Sequence, residues 1–315
     1  MPLLGGHGDS YDDGGYAQDL TTGAWETLIG PSTFGKPSAT ADGFGEWVGG
    51  TAGRPASQHT LQHLVTVGDD IIQANGSYIA TSANGSRQAH RWNHSTGQWQ
   101  RYGDTGGGIS PNDGAFVHYD AARNRIVRIN LTGVYGKLDT IPANNPNATW
   151  MSVTISNSGI VNSGIGCSIG YHDALDCYVL ISPGDFTPRN SVYVMDARNL
   201  TAGWVAVSVS GDFPPFKGNT GLEYCPPMRA MVTVGATVDN MLFYIKPTGG
   251  RTAPWVWSSE VFSGPTAAER WDTGSYNGVY RRIVWSDLLR GFVVCKRATA
   301  YTEVFVPSEV AAFYS

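Results

Sequence analysis

The stretch Tyr16-Ala17-Gln18-Asp19-Leu20-Thr21-Thr22-Gly23-Ala24-Trp25-Glu26-Thr27-Leu28 decides the fold. It reads as a short strand, a polar turn and a second strand that opens on tryptophan. Asp, Thr and Gly in the middle are poor helix formers and good turn formers, because their side chains bond the local backbone or leave it free to reverse. Just upstream, Pro2-Leu3-Leu4 is a truncated strand that runs into the glycine-rich Gly5-Gly6-His7-Gly8-Asp9. The same sentence returns further on. Asn93-His94-Ser95-Thr96-Gly97 stands where Asp19 to Gly23 stood, and Trp99 stands where Trp25 stood.

Composition agrees. The 315 residues include Gly 40, Tyr 15 and Trp 10, with only 15% charged residues. Glycine supplies positive-φ turn positions and the aromatics favour strands. A formal net charge of -5 argues against an electrostatic nucleic-acid partner and against a polybasic membrane anchor. No apolar run approaches the ~20 residues of a membrane helix, so no membrane insertion is expected, and the N-terminus shows no signal-peptide pattern. Cys167, Cys177, Cys225 and Cys295 lack CxxC spacing and read as buried free thiols, although one disulfide stays open. The sequons at Asn75, Asn84, Asn93, Asn130, Asn147 and Asn199 read mostly as turn chemistry.

Taken in order, the chain divides into units of roughly 45–50 residues, the period of propeller blades. The second unit has strands at His59–Val67, Ile71–Ala74, Gln88–Trp92 and Gln98–Tyr102. The third has Phe116–Asp120, Arg125–Ile129, Tyr135–Thr140 and Trp150–Ile155. The fourth has Cys167–Asp173, Cys177–Ile181, Ser191–Asp196 and Trp204–Val209. The fifth has Leu222–Tyr224, Met231–Val234, Met241–Lys246 and Trp255–Glu260. The sixth has Arg281–Trp285, Phe292–Cys295 and Thr302–Val306. Trp25, Trp99, Trp150, Trp204 and Trp255 mark the outer strands of five units. The expectation is an all-β chain forming a single β-propeller domain over 1–315, with six blades of four antiparallel strands and seven as the alternative count.

Gly5-Gly6 after a strand, then Tyr16 to Leu20 and Gly23-Ala24-Trp25, resembles a kelch repeat of the galactose-oxidase-like superfamily. Tyr119-Asp120-Ala121-Ala122-Arg123-Asn124-Arg125 and Tyr193-Val194-Met195-Asp196 keep that family's turn and third-strand pattern. Only the first unit has the diglycine in its usual place. The resemblance implies an architecture and leaves activity open. The copper chemistry of galactose oxidase is not carried over, because no histidine follows His172; no cofactor and no metal are expected. The first unit lacks an inner strand before Pro2. The last lacks an outer strand after Val306, unless Val310–Tyr314 supplies it. Open strand edges invite pairing, so the ring is expected to close at or near the two termini, or through a neighbouring chain that completes the first or last blade.

Candidate chemistry is sparse. His59 and His63, like His90 and His94, have the HxxxH spacing that grips zinc on a helix. Thr60 and Val65 to Val67 point to strand, where residues four apart are about 13 Å distant. His7, Asp9, Arg54 and His59 stand at the inner ends of adjacent units. Arg54 suits a carboxylate clamp, and His7 or His59 suits proton transfer. The competing reading is structural, with Asp9 and His7 holding the diglycine turn and Arg54 paired to a neighbouring blade. Phe34, Phe44, Trp47, Trp271, Tyr276 and Tyr280 fall in long Gly/Ser/Thr segments. Such rings suit sugar or protein surfaces, or they plug the ends of a propeller.

Three functional classes fit. The first is a non-enzymatic recognition or assembly module that binds a glycan or protein surface, a composition like that of bacterial surface proteins or tailed-phage tail components, hence a virion or extracellular setting. The second is a polysaccharide lyase-like enzyme using His7, Arg54, His59 and a tyrosine. The third is a structural protein that packs one propeller face on a partner.

Overall fold

The computed structural model describes residues 2–4, 15–19, 21–22, 24–29, 58–59, 64–78, 85–103, 115–130, 137–156, 168–182, 190–211, 213–214, 221–234, 241–261, 283–294 and 303–315. They belong to two compact units, Met1–Thr154 and Ile155–Ser315. In the first unit, β1 (Pro2–Leu4), β2 (Gly15–Gln18) and β3 (Trp25–Ile29) form one sheet. A second sheet contains β4 (Gln58–His59), β5 (Leu64–Val67), β6 (Asp70–Tyr78), β7 (Gly85–Asn93) and β8 (Gln98–Tyr102). A third contains β9 (Ala115–Asp120), β10 (Arg125–Asn130), β11 (Lys137–Pro142) and β12 (Met151–Thr154).

The second unit repeats the plan. Its first sheet, the fourth along the chain, holds β13 (Ser168–His172), β14 (Cys177–Ser182), β15 (Ser191–Asp196) and β16 (Val205–Val207). The fifth holds β17 (Val209–Gly211), β18 (Glu223–Cys225), β19 (Ala230–Val234), β20 (Met241–Pro247) and β21 (Trp255–Val261). The sixth holds β22 (Ile283–Ser286), β23 (Gly291–Val294) and β24 (Glu303–Phe305), and the chain ends in α1 (Ser308–Tyr314). Consecutive strands pair antiparallel with their neighbours. The chain is an all-β propeller of up-and-down blades, as the repeats lead one to expect. The strand complement is not uniform, because the first and last sheets have three strands among the described residues.

Packing explains why the strands read as near-continuous apolar runs. A blade is covered on both faces, so both parities of a strand are buried. In the fifth sheet, Met231, Phe243, Ile245, Trp255 and Trp257 pack with Cys177, Val179, Ile181, Val192 and Val194 of the fourth. The opposite parity, Ala230, Val232, Val234 and Leu242, packs with Ile283, Phe292 and Val294 of the sixth. In the first unit, Ile72, Ala74, Ala89 and Tyr102 of the second sheet pack with Val117, Ile126, Ile141 and Trp150 of the third. The tryptophans act as expected. Trp25, Trp99 and Trp255 begin or lie in outer strands, while Trp150 and Trp204 directly precede them. Trp150, Trp204 and Trp255 are 2%, 1% and 0% exposed. Burying a large aromatic is among the larger single contributions to such a core.

Two local expectations are corrected. Val310–Tyr314 is not an outer strand but α1. Pro307 ends β-pairing, Glu309 sits in the first helical turn where an anion is favoured, and Ala311 and Ala312 propagate the helix. Val310 buries itself against the fifth and sixth sheets. Ser308 N–H donates to Glu260 Oε1 at 3.0 Å, and Lys246 pairs with Glu309 at 2.5 Å. Of the stretch expected as one strand over His59–Val67, His59 lies in β4 and Leu64–Val67 form β5, both paired to β6, and 60–63 lie outside the described residues. The stretch Trp204–Val209 divides at Ser208. Its second half, β17, crosses to pair parallel with β21, the outer strand of the next sheet. Trp255 N–H donates to Ser208 O at 2.8 Å to start that pairing.

Candidate functional site

Strand direction assigns every connection to one of two ends of its sheet. In an antiparallel meander, the first-to-second and third-to-fourth connections share one end. The second-to-third connection and the exit to the next sheet share the other. The first of these ends is closed by connections of at most eight residues among the described strands, many of them well bonded. Between first and second strands the turns end on a left-handed residue at Asn124, Asp176, Arg229 and Arg290, with φ 48°, 49°, 50° and 50°. An aromatic precedes each, at Tyr119, Tyr171, Tyr224 and Trp285. Tyr171 Oη donates to Asp176 Oδ1 at 2.7 Å, and Trp285 Nε1–H donates to Asp287 Oδ1 at 2.6 Å.

The third-to-fourth turns of this end are held by a carboxylate or amide at their first residue. Asp19 accepts from the backbone N–H and hydroxyl of Thr21 at 2.8 and 2.6 Å. These bonds hold its carboxyl down to about 2, below the ordinary 3.8. Asn93 Oδ1 accepts from Ser95 Oγ and Thr96 N–H. Asp196 is paired with Arg198 at 3.0 Å and with Arg251 at 2.5 Å. Asp120, buried, holds Arg123 and Arg125, each at 2.9 Å. Asp70 pairs with Arg91 in the second sheet. These carboxylates hold their turns together.

The longest segments depart from the other end. Strands flanking 5–14, 30–57, 104–114, 157–167 and 262–282 end there, as do those flanking the shorter connections 79–84, 131–136, 183–189, 235–240 and 295–302. All the candidate residues fall in these segments or beside them. His7, Asp9, Phe34, Phe44, Trp47, Arg54, Trp271, Tyr276 and Tyr280 lie outside the described residues. His59 is in β4 opposite Ser77, near the end of β6 from which 79–84 departs. Of the HxxxH pairs, His90 is buried in β7 and His94 is exposed in the turn after it, so that spacing is strand and turn rather than helix.

Two buried polar arrangements escaped the sequence reading. Arg128, Asp139 and Ser152 stand opposite one another across β10, β11 and β12. Arg128 Nη2 lies 2.9 Å from Asp139 Oδ2, Ser152 Oγ donates to Asp139 Oδ1 at 2.8 Å, and the guanidinium lies 4.0 Å from the Trp150 ring centre. A signal existed. Arg128 shares strand parity with Ile126, so a charge was due on an apolar face and needed a partner. The second arrangement is His172, packed against Tyr224 and Trp255 at 4.5 and 5.7 Å between ring centres. Cys177 and Cys225 are free and buried, and burial pushes their thiols up to about 12 and about 11. Cys167 and Cys295 lie outside the described residues. Among the described residues no helix is long and apolar enough to cross a membrane.

No family model matches the chain, and no curated protein matches it. Solved structures do. An auxiliary nutrient binding protein from Bacteroides thetaiotaomicron aligns with a TM-score of 0.50 at 10% identity, over 95% of this chain and 70% of that one. The major Malassezia sympodialis allergen Mala s 1 aligns with a TM-score of 0.47 at 10% identity, over 91% and 81%. At such identity the likeness concerns the fold alone.

Proposed function

We propose that the protein is a recognition module without catalytic activity, and that it binds at the end of its sheets where the long segments depart. The observation that carries this reading is the asymmetry between the two ends. One is closed by connections of at most eight residues, many of whose polar groups pair within the turn. The other carries the long segments, with their aromatic residues, His7, Asp9 and Arg54. Rigid sheets that present variable connections are a common way to build a binding surface.

The partner is a glycan or a protein surface. Phe34, Phe44, Trp47, Trp271, Tyr276 and Tyr280 supply flat apolar faces with polar rims, which suit a sugar ring. The kelch-like, galactose-oxidase-like assignment belongs to this proposal, as does closure of all the blades into one ring near the termini or through a neighbouring chain. A tailed-phage virion component is the setting that composition favours.

A glycan array, run beside incubation with uronate-containing polysaccharides, tests the reading. Binding without chemical change supports it. Release of an unsaturated uronate product, lost in His59→Ala, replaces it with the lyase-like reading. Retention of glycan by a variant lacking Trp47 and Trp271 side chains overturns the assignment of those residues.

A further inference from the structure

We propose that the contact between the fourth and fifth sheets is an acid-released latch, with His172 as its trigger. His172 closes β13 and occupies the place that Asp120, Cys225 and Ser286 hold in the corresponding turns of other sheets. It reaches from the fourth sheet into the fifth. Its ring is 1% exposed and packs on Tyr224 of β18 and edge-on to Trp255 of β21. Nε2 lies 3.3 Å from the carbonyl oxygen of Arg229. A carbonyl only accepts, so Nε2 carries the hydrogen and donates. Nδ1 is then a bare acceptor, and it has no hydrogen-bond partner among the described residues.

A second proton has to go on Nδ1, where only the backbone of His172 itself offsets the cost of burying the charge. The surroundings do not compensate. Cys177 stands directly opposite on β14 with its thiol held up to about 12, and the Tyr224 phenol is raised as well, so both are neutral near pH 7. Glu223 and Cys225 flank Tyr224 on β18, and the Cys225 thiol is also raised. Trp255 has no ionisable group. Arg229, on the β18–β19 turn, repels an imidazolium, and Asp173, beside His172, is exposed to water. Burial, chiefly, pushes the imidazole down from 6.5 to about 4.

The sign follows. The folded form holds the neutral ring below the value it has when unfolded. The contribution is complete above pH 6.5 and is lost as pH falls from there toward 4. Each pH unit inside that window lowers the folding constant roughly tenfold. The two sheets meet closely here, because a Cβ on Gly170 would lie 2.4 Å from Leu222 O.

The test is denaturant unfolding of the full chain near pH 7 and near pH 4.5, for the wild type and His172→Gln. Glutamine keeps an N–H for the Arg229 carbonyl and does not titrate. The expected result is a loss of folding constant on acidification that is roughly 50- to 100-fold smaller in the variant. Equal losses in the two proteins overturn the proposal. If the variant does not fold, the imidazole signals of His172 in the wild type decide. Signals unchanged down to about pH 5 support the latch, and a titration centred near 6.5 overturns it.

Discussion

Arg128 and Asp139 face each other across β10 and β11 with side chains 0% and 1% exposed, bonded through Nε and Nη2 at 3.0 and 2.9 Å. A buried ion pair contributes little net stability compared with well-packed apolar residues, but losing one member is costly. Asp139→Ala should therefore destabilise the protein by about 3–5 kcal/mol. The double variant Arg128→Met with Asp139→Leu should recover most of that loss. Chemical denaturation of the three proteins checks both statements. A mild single variant would mean that the pair is solvated.

Gly211 approaches the Trp257 backbone so closely that a Cβ would lie 2.2 Å from its carbonyl oxygen, and its φ is +84°. Gly211 stands opposite Trp257 where β17 lies parallel against β21. Gly211→Ala should cost about 2–4 kcal/mol, combining left-handed strain with a backbone collision. Gly68→Ala makes a control, since it has φ +61° but nothing within 4 Å, and it should cost about 1–2 kcal/mol. Thermal unfolding of the pair separates strain from collision.

Arg229 occupies a left-handed position that Asn124 and Asp176 fill in the third and fourth sheets. Asparagine tolerates that conformation better than arginine does. Arg229→Asn should raise stability by about 0.5–1 kcal/mol and leave the His172 bond intact, because the backbone carbonyl is unchanged. A lowered Tm would show that the Arg229 side chain carries a contact of its own.

Trp204 and Trp255 are sealed in the second unit, whereas Trp99 is partly exposed. Trp204→Ala should cost about 3–5 kcal/mol, and Trp99→Ala distinctly less. Equal costs would contradict the idea that burial at the head of the outer strand is what these residues contribute.

Much of the architecture was legible because local and tertiary demands agree. Asp19, Asn93 and Asp196 end third strands with turn chemistry that needs no distant partner. The buried tryptophans recur at blade spacing. What stayed hidden depends on other sheets. β17 carries the same Val-Ser sequence as an ordinary strand end, and only the arrival of β21 makes it a parallel partner. Val310 to Tyr314 is apolar enough for a strand, but Lys246 and Glu260 receive the start of a helix. His172 was read as the last histidine in the chain and not as an interface residue, because Tyr224 and Trp255 are remote in sequence. The candidate binding residues were readable by type alone, from aromatics in long polar segments.

The most direct measurement compares the two ends of the sheets. Binding to an array-selected glycan or protein would be measured for Trp47→Ala and Trp271→Ala, in segments that depart from one end, and for Arg198→Ala and Arg123→Ala at the other. The account predicts at least a tenfold loss, about 1.4 kcal/mol, for the tryptophan variants and little change for the arginine variants. Full binding by the tryptophan variants, with loss in the arginine variants, would contradict it.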